Sequence, residues 1–157
     1  MPFELYDYQT ELVTKARKSL AKGNKGVLIQ SPPGSGKSVV IAEIARLTTD
    51  KGNRVMFLVH RKELVEQITE TFKANEVDLD LCTIMTVTKV ANRLTMLPKP
   101  NLIITDETHH SRAKTYRSIY DYYSDVPRLG FTATPWRMNG KGFEDIYSEM
   151  VEGKSVK

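Results

Sequence analysis

The run Gly26-Val27-Leu28-Ile29-Gln30 passes through Ser31-Pro32-Pro33-Gly34-Ser35-Gly36-Lys37-Ser38 into the helical pattern Val39-Val40-Ile41-Ala42-Glu43-Ile44-Ala45. No other stretch constrains the fold as much, because strand, glycine-rich turn and helix in immediate succession is the context a phosphate-binding loop requires. Gly34 and Gly36 let the backbone turn with its N–H groups pointing inward, where they and the helix N-terminus hold phosphates. Pro33, Gly34, Ser35, Gly36, Lys37 and Ser38 are therefore the candidate nucleotide cradle. Lys37 is expected to reach the β- and γ-phosphates, and the Ser38 hydroxyl to sit on Mg²⁺. Ser31 stands where the strict Gly-x-x-x-x-Gly-Lys-[Ser/Thr] form has its first glycine, and a small residue there keeps the turn possible. The competing reading is an ordinary glycine-rich strand-to-helix turn; Lys and Ser at the required spacing count against it.

Sixty-nine positions after Lys37, the apolar run Asn101-Leu102-Ile103-Ile104-Thr105 ends in Asp106-Glu107-Thr108-His109. The run reads as a buried parallel strand. An acid at the tip of a neighbouring strand supplies a second contact for the metal ion, so Asp106 is the candidate ligand. Glu107 becomes the general base for water attacking the γ-phosphate. Alone, such an acid pair is as readily a solvated loop or a helix N-cap. Joined to a phosphate loop, it reads as chemistry.

The ordered set Tyr8-Gln9, Ser35-Gly36-Lys37-Ser38, His60-Arg61-Lys62-Glu63-Leu64, Asp106-Glu107-Thr108-His109 and Gly130-Phe131-Thr132-Ala133-Thr134-Pro135 resembles the first motor domain of a superfamily 2 helicase of the Asp-Glu-x-His type. Within that superfamily the chain is most similar to phage and bacterial proteins grouped with type III restriction subunits and excision-repair translocases. The resemblance covers nearly the whole chain. It implies a RecA-like P-loop NTPase fold, α/β, with a parallel sheet flanked by helices on both faces.

Composition is compatible with one such domain. A chain of 157 residues with 40% hydrophobic content buries one sizeable core. The formal charge of +4 permits polyanion binding without demanding it. The single cysteine, Cys82, rules out an internal disulfide and is expected as a buried thiol in a reducing compartment. The sequence has no Cys/His cluster at metal-ligand spacing, no apolar stretch of membrane-spanning length, and no basic-then-apolar signal pattern after Met1. A cytoplasmic location, in a bacterial or phage-infected cell, is expected, with no membrane partner.

Helical and strand-like segments alternate, which argues for a parallel sheet covered on both faces. Strands are expected over 27–30, 55–59, 81–85, 102–105 and 129–132. Helices are expected at an opening segment striped by Leu12, Ala16 and Leu20, and over 38–47, 62–72, 88–96 and 115–123. Residues 142–157 carry only a weak helical pattern and then read as an unfinished connection. Ligands in such sheets collect at the carboxyl ends of the strands, where the phosphate loop, the acid pair and Thr132-Ala133-Thr134 fall.

The resemblance assigns further roles. Gln9, whose amide both donates and accepts, is the candidate for selecting adenine; otherwise it is a surface residue at a helix start. His60 and Arg61, with Lys62, are the candidates for meeting consecutive phosphates of one nucleic-acid strand, against a plain helix start with solvated cations. At the next track position Lys89 replaces the usual Thr, so the contact is either ionic or shifted to Thr88. His109 is expected to connect the hydrolysis site to Thr132 and Thr134, which report nucleotide state to the track. Trp136 either stacks on a base or covers a domain edge.

The resulting expectation is the ATP-binding half of a nucleic-acid-dependent ATPase, a helicase or translocase using ATP and Mg²⁺, with DNA favoured over RNA. The second RecA-like domain, which brings an arginine finger, has no matching motif after Pro135 and is expected in cis or in trans. A stand-alone nucleotide- or nucleic-acid-binding regulatory module is the alternative. A P-loop kinase is disfavoured by the Asp-Glu pair and the Thr-Ala-Thr-Pro strand end.

Overall fold

The computed structural model describes residues 7–23, 26–30, 37–59, 61–106, 113–132 and 149–152. In chain order the elements are α1 (Asp7–Ala21), β1 (Gly26–Gln30), α2 (Lys37–Asp50), β2 (Val55–Val59), α3 (Lys62–Ala74), β3 (Cys82–Thr86), α4 (Val87–Ala91), β4 (Leu102–Asp106), α5 (Ala113–Tyr122), β5 (Arg128–Thr132) and β6 (Glu149–Glu152), with a short 3₁₀ turn at Leu79–Leu81. Six strands form one sheet in the order β3-β2-β4-β5-β1-β6. Every pairing is parallel.

The layering follows from the strand sequences. All five residues of β2, Val-Met-Phe-Leu-Val, are buried, as befits a strand covered on both faces. Side chains alternate across the sheet. Val55, Phe57 and Val59 join the core with Leu12, Ala16, Val40, Ile41, Ile44 and Phe72 from α1, α2 and α3. Met56 and Leu58 join the opposite core with Val87, Val90, Tyr116, Ile119 and Tyr120 from α4 and α5. Phe57 meets Phe72 edge-to-face at 5.9 Å between ring centroids, a geometry worth ~0.5–1.5 kcal/mol beyond the area buried. Arg128 opens β5 with its guanidinium 4.9 Å from the Tyr120 ring centre.

At the amino end of the sheet the connections are tied down. Gly52, at φ +80°, takes the left-handed conformation that ends α2, and its N–H donates to Thr49 C=O at 2.9 Å. The chain then enters β2 through Arg54, whose N–H donates to Asn101 Oδ1 at 2.8 Å. Asn101 N–H returns a 2.8 Å bond to Arg54 C=O, and Ile103 N–H donates to Pro127 C=O at 3.0 Å.

Three expectations need correction. Within residues 142–157, where only a weak helical pattern was expected, Glu149–Glu152 pairs with β1 as a sixth strand; open backbone groups on β1 decide this, not local pattern. The helix expected over 88–96 is helical only at Val87–Ala91, and 92–96 are turns. Cys82 is a free, half-buried thiol rather than a fully buried one. It opens edge strand β3, with its thiol 3.5 Å from Asp78 C=O. Burial, with Asp78 nearby, pushes its pKa up to about 12, which keeps the thiol protonated at neutral pH.

Candidate functional site

In a parallel sheet all strands end on one edge, and the register shows which ends are neighbours. Gln30, the last residue of β1, pairs with Thr132, the last of β5. Asp106, the last of β4, pairs with Phe131. The chain therefore brings Asp106 and Thr132 together beside the strand that feeds α2, and α2 begins at Lys37. At that helix start the backbone N–H groups lack intrahelical partners and the helix dipole favours an anion. Ser38, on the first turn, is exposed.

Two polar contacts position these elements. Thr105, immediately before Asp106, is fully buried, and its Oγ1 shares a 2.5 Å hydrogen bond with the Tyr120 hydroxyl of α5. This pins the end of β4 to the helix beneath it. On the other face, Arg46 donates to both oxygens of Glu43, at 2.6 and 2.7 Å, and Asn75 Nδ2 donates to Glu43 Oε1 at 3.4 Å. The Arg46 guanidinium, helped by Asn75 and opposed by burial, holds the Glu43 carboxyl below its ordinary range. The pair raises Arg46 correspondingly. The Asn75 bond links α2 to the C-cap of α3.

Further along this edge, β2 ends at Val59 opposite Thr86 at the end of β3. Arg61 is the N-cap of α3, in extended conformation and without a side-chain cap bond; Arg61 and Lys62 are exposed. Thr86 caps α4 through its hydroxyl, which accepts from Lys89 N–H at 3.3 Å. Thr88 and Lys89 are both exposed. Between the two helix starts lies a cavity of about 280 Å³ lined by Lys62, Glu66, Met85, Thr86 and Lys89 among others. Thr86 and Glu66 were not singled out from the sequence; a Thr directly before a helix was the signal for the cap.

Gln9 lies on the first turn of α1 and is buried, at 3% exposure, rather than at the surface. Of Lys37, Asp106 and Thr132 only the backbone placement is described. Pro33, Gly34, Ser35, Gly36, His60, Glu107, His109, Thr134 and Trp136 lie outside the described residues. Among the described residues no helix is long and apolar enough to cross a membrane.

Comparison with known proteins extends the geometry. A family model described as type III restriction enzyme, res subunit, matches residues 2–92 and 73–137. A 51.5 kDa protein of a Lactococcus phage (isolate 7-9) is 64% identical over 129 residues, covering 82% of this chain and 28% of that protein. The DNA 3'-5' translocase XPB2 of Sulfurisphaera tokodaii is 30% identical over 163 residues, covering 94% of this chain and 34% of that one. The chain thus spans about a third or less of these curated relatives. In three dimensions it is similar to the UvsW helicase of bacteriophage T4, with a TM-score of 0.74 at 16% identity, covering 96% of this chain and 60% of that one. That likeness shows the RecA-like fold.

Proposed function

The chain belongs to the family of type III restriction enzyme res subunits, and from that premise we propose that it is the ATP-binding half of a nucleic-acid-dependent motor, a helicase or translocase. The observation that carries this reading is the convergence of the ends of β1, β4 and β5 with the start of α2 on one edge. Phosphates lie at the start of α2, held by backbone N–H groups and Lys37. The donors at this edge fit a hard cation, because the Ser38 hydroxyl and the Asp106 carboxylate are oxygen ligands of the kind Mg²⁺ prefers. Bound there, Mg²⁺ supplies charge neutralisation at the phosphate oxygens.

Glu107 takes a proton from water as the water oxygen bonds to the γ-phosphorus. The bond to the bridging oxygen breaks, and ADP leaves with its electron pair. Gln9 selects adenine after α1 yields its amide to the base. Thr132, Thr134 and His109 couple the nucleotide to a nucleic-acid track made by His60, Arg61, Thr88 and Lys89. The cavity between α3 and α4, with Lys62 and Lys89 in its wall, supports that track. DNA is the preferred polymer, and a second RecA-like domain, in cis or in trans, completes both sites. The setting is the inside of a cell.

Calorimetry with Mg-ATP tests the nucleotide half. Lys37→Ala should remove most affinity while leaving the unfolding transition in place. Unchanged affinity in a folded variant would overturn the assignment. Joined to its second domain, the motor should hydrolyse ATP faster with DNA than without.

A further inference from the structure

A second cavity lies at the opposite, amino end of the sheet, remote from the edge just described. It is an open groove of about 550 Å³ between the ends of α1 and α2 and the start of β4. Its floor is apolar, with Leu47, Leu102 and Pro127. Its walls carry three exposed cations, Arg17, Lys18 and Lys51, and, among the described residues, no carboxylate. None of the three cations makes an ion pair with a described residue, and Asp50, next to Lys51 in the chain, pairs with Arg46. Asn53 and Asn101 add amides. Because the Asn101 oxygen already accepts from Arg54, its NH₂ group is the part available to a ligand.

The ordinary role of such cations is to balance helix carboxyl ends. Two helices end here, each worth roughly half a negative charge, and three full cations exceed that. The surplus is positive.

We propose that this groove docks an acidic segment of a partner protein, its carboxylates on Arg17, Lys18 and Lys51 and one bulky apolar side chain on the floor. Charge complementarity requires an anionic occupant. The apolar floor favours a peptide over a phosphate chain, which would leave that surface uncovered. Nucleic-acid backbones also draw on N–H groups at helix starts, whereas α1 and α2 present their carbonyl ends here. A volume within the usual range of small binding sites holds a few residues, not a domain.

The test uses the 157-residue chain, ¹⁵N-labelled, and the acetylated, amidated hexapeptide Glu-Asp-Leu-Phe-Asp-Glu. Saturable shifts are expected at the amides of Arg17, Lys18, Lys51, Asn53 and Asn101, weakening with added salt. Replacing every acid of the peptide by Gln, or combining Arg17→Glu with Lys51→Glu, should lower affinity about tenfold or more and leave Mg-ATP binding unchanged. The salt titration on unaltered protein decides the matter if the double variant does not fold. Equal binding of the Gln peptide, or no shifts at these amides, overturns the proposal. So does duplex DNA shifting them where the acidic peptide does not.

Discussion

At the amino end of the sheet, backbone groups are spent on one another: Arg54 with Asn101 in both directions, and Ile103 with Pro127. At the carboxyl end, β1, β4 and β5 stop at Gln30, Asp106 and Thr132. The two ends therefore recognise ligands by different means. Where loops are stapled, binding falls to side chains such as Arg17 and Lys51; where a helix begins, the backbone itself becomes a binding group.

If this division holds, changes at the carboxyl end alter turnover and spare the fold, and changes elsewhere do the reverse. The largest effect belongs to Glu107→Gln in the motor joined to its second domain. Hydrolysis should fall by about 10²- to 10⁴-fold at unchanged Mg-ATP affinity and melting temperature. Near-normal single-turnover hydrolysis would remove Glu107 from the chemistry.

Between the ends, Phe72→Ala empties a fully buried site against Phe57 and should cost about 3–5 kcal/mol in urea unfolding. A loss below about 1 kcal/mol would mean that α3 contributes little to the core.

Asn101→Ala sharpens the contrast further. It removes the acceptor of Arg54 N–H and should cost about 1 kcal/mol, with Mg-ATP affinity unaltered. A parallel fall in affinity would show that the two ends are coupled.

The smallest expected effect is at the Glu43–Arg46 pair of α2. Glu43 has its pKa lowered by Arg46, so its stabilising contribution is present above the ordinary carboxylate pKa and is lost as pH falls through the folded value. The pair is partly exposed, at 23% and 15% of side-chain surface, which limits it to about 0.2–1 kcal/mol. Glu43→Gln should therefore destabilise the protein at neutral pH, and the difference from the unaltered chain should shrink below about pH 4.5. A difference that persists in acid would assign the effect to packing.

Legibility from sequence followed the range of the forces involved. β2 was readable because burial on both faces demands a continuous apolar run. The start of α2 at Lys37 was readable because the helical pattern of Val39-Val40-Ile41-Ala42 begins directly after the glycines. The stretch 88–96 misled because Val90, Leu94 and Leu97 do pack on the core, yet apolar spacing records which side chains are buried and not whether the backbone stays helical. β6 was missed because Glu149-Met150-Val151-Glu152 becomes a strand only through β1, far away in sequence. The burial of Gln9 was not readable for the same reason, since local pattern does not show what covers α1. The edge carrying Asp106 and Thr132 was foreseen, but the Thr105–Tyr120 bond that anchors it required the fold.

The strand order has a consequence for how the chain is made. β1 leaves the ribosome well before either of its neighbours, Arg128–Thr132 and Glu149–Glu152. Until they arrive, Val27 and Ile29 have helices to pack on but no strand to pair with. Synthesis therefore holds an unpaired strand open until they emerge, and the nascent protein is most open to mispairing in that interval.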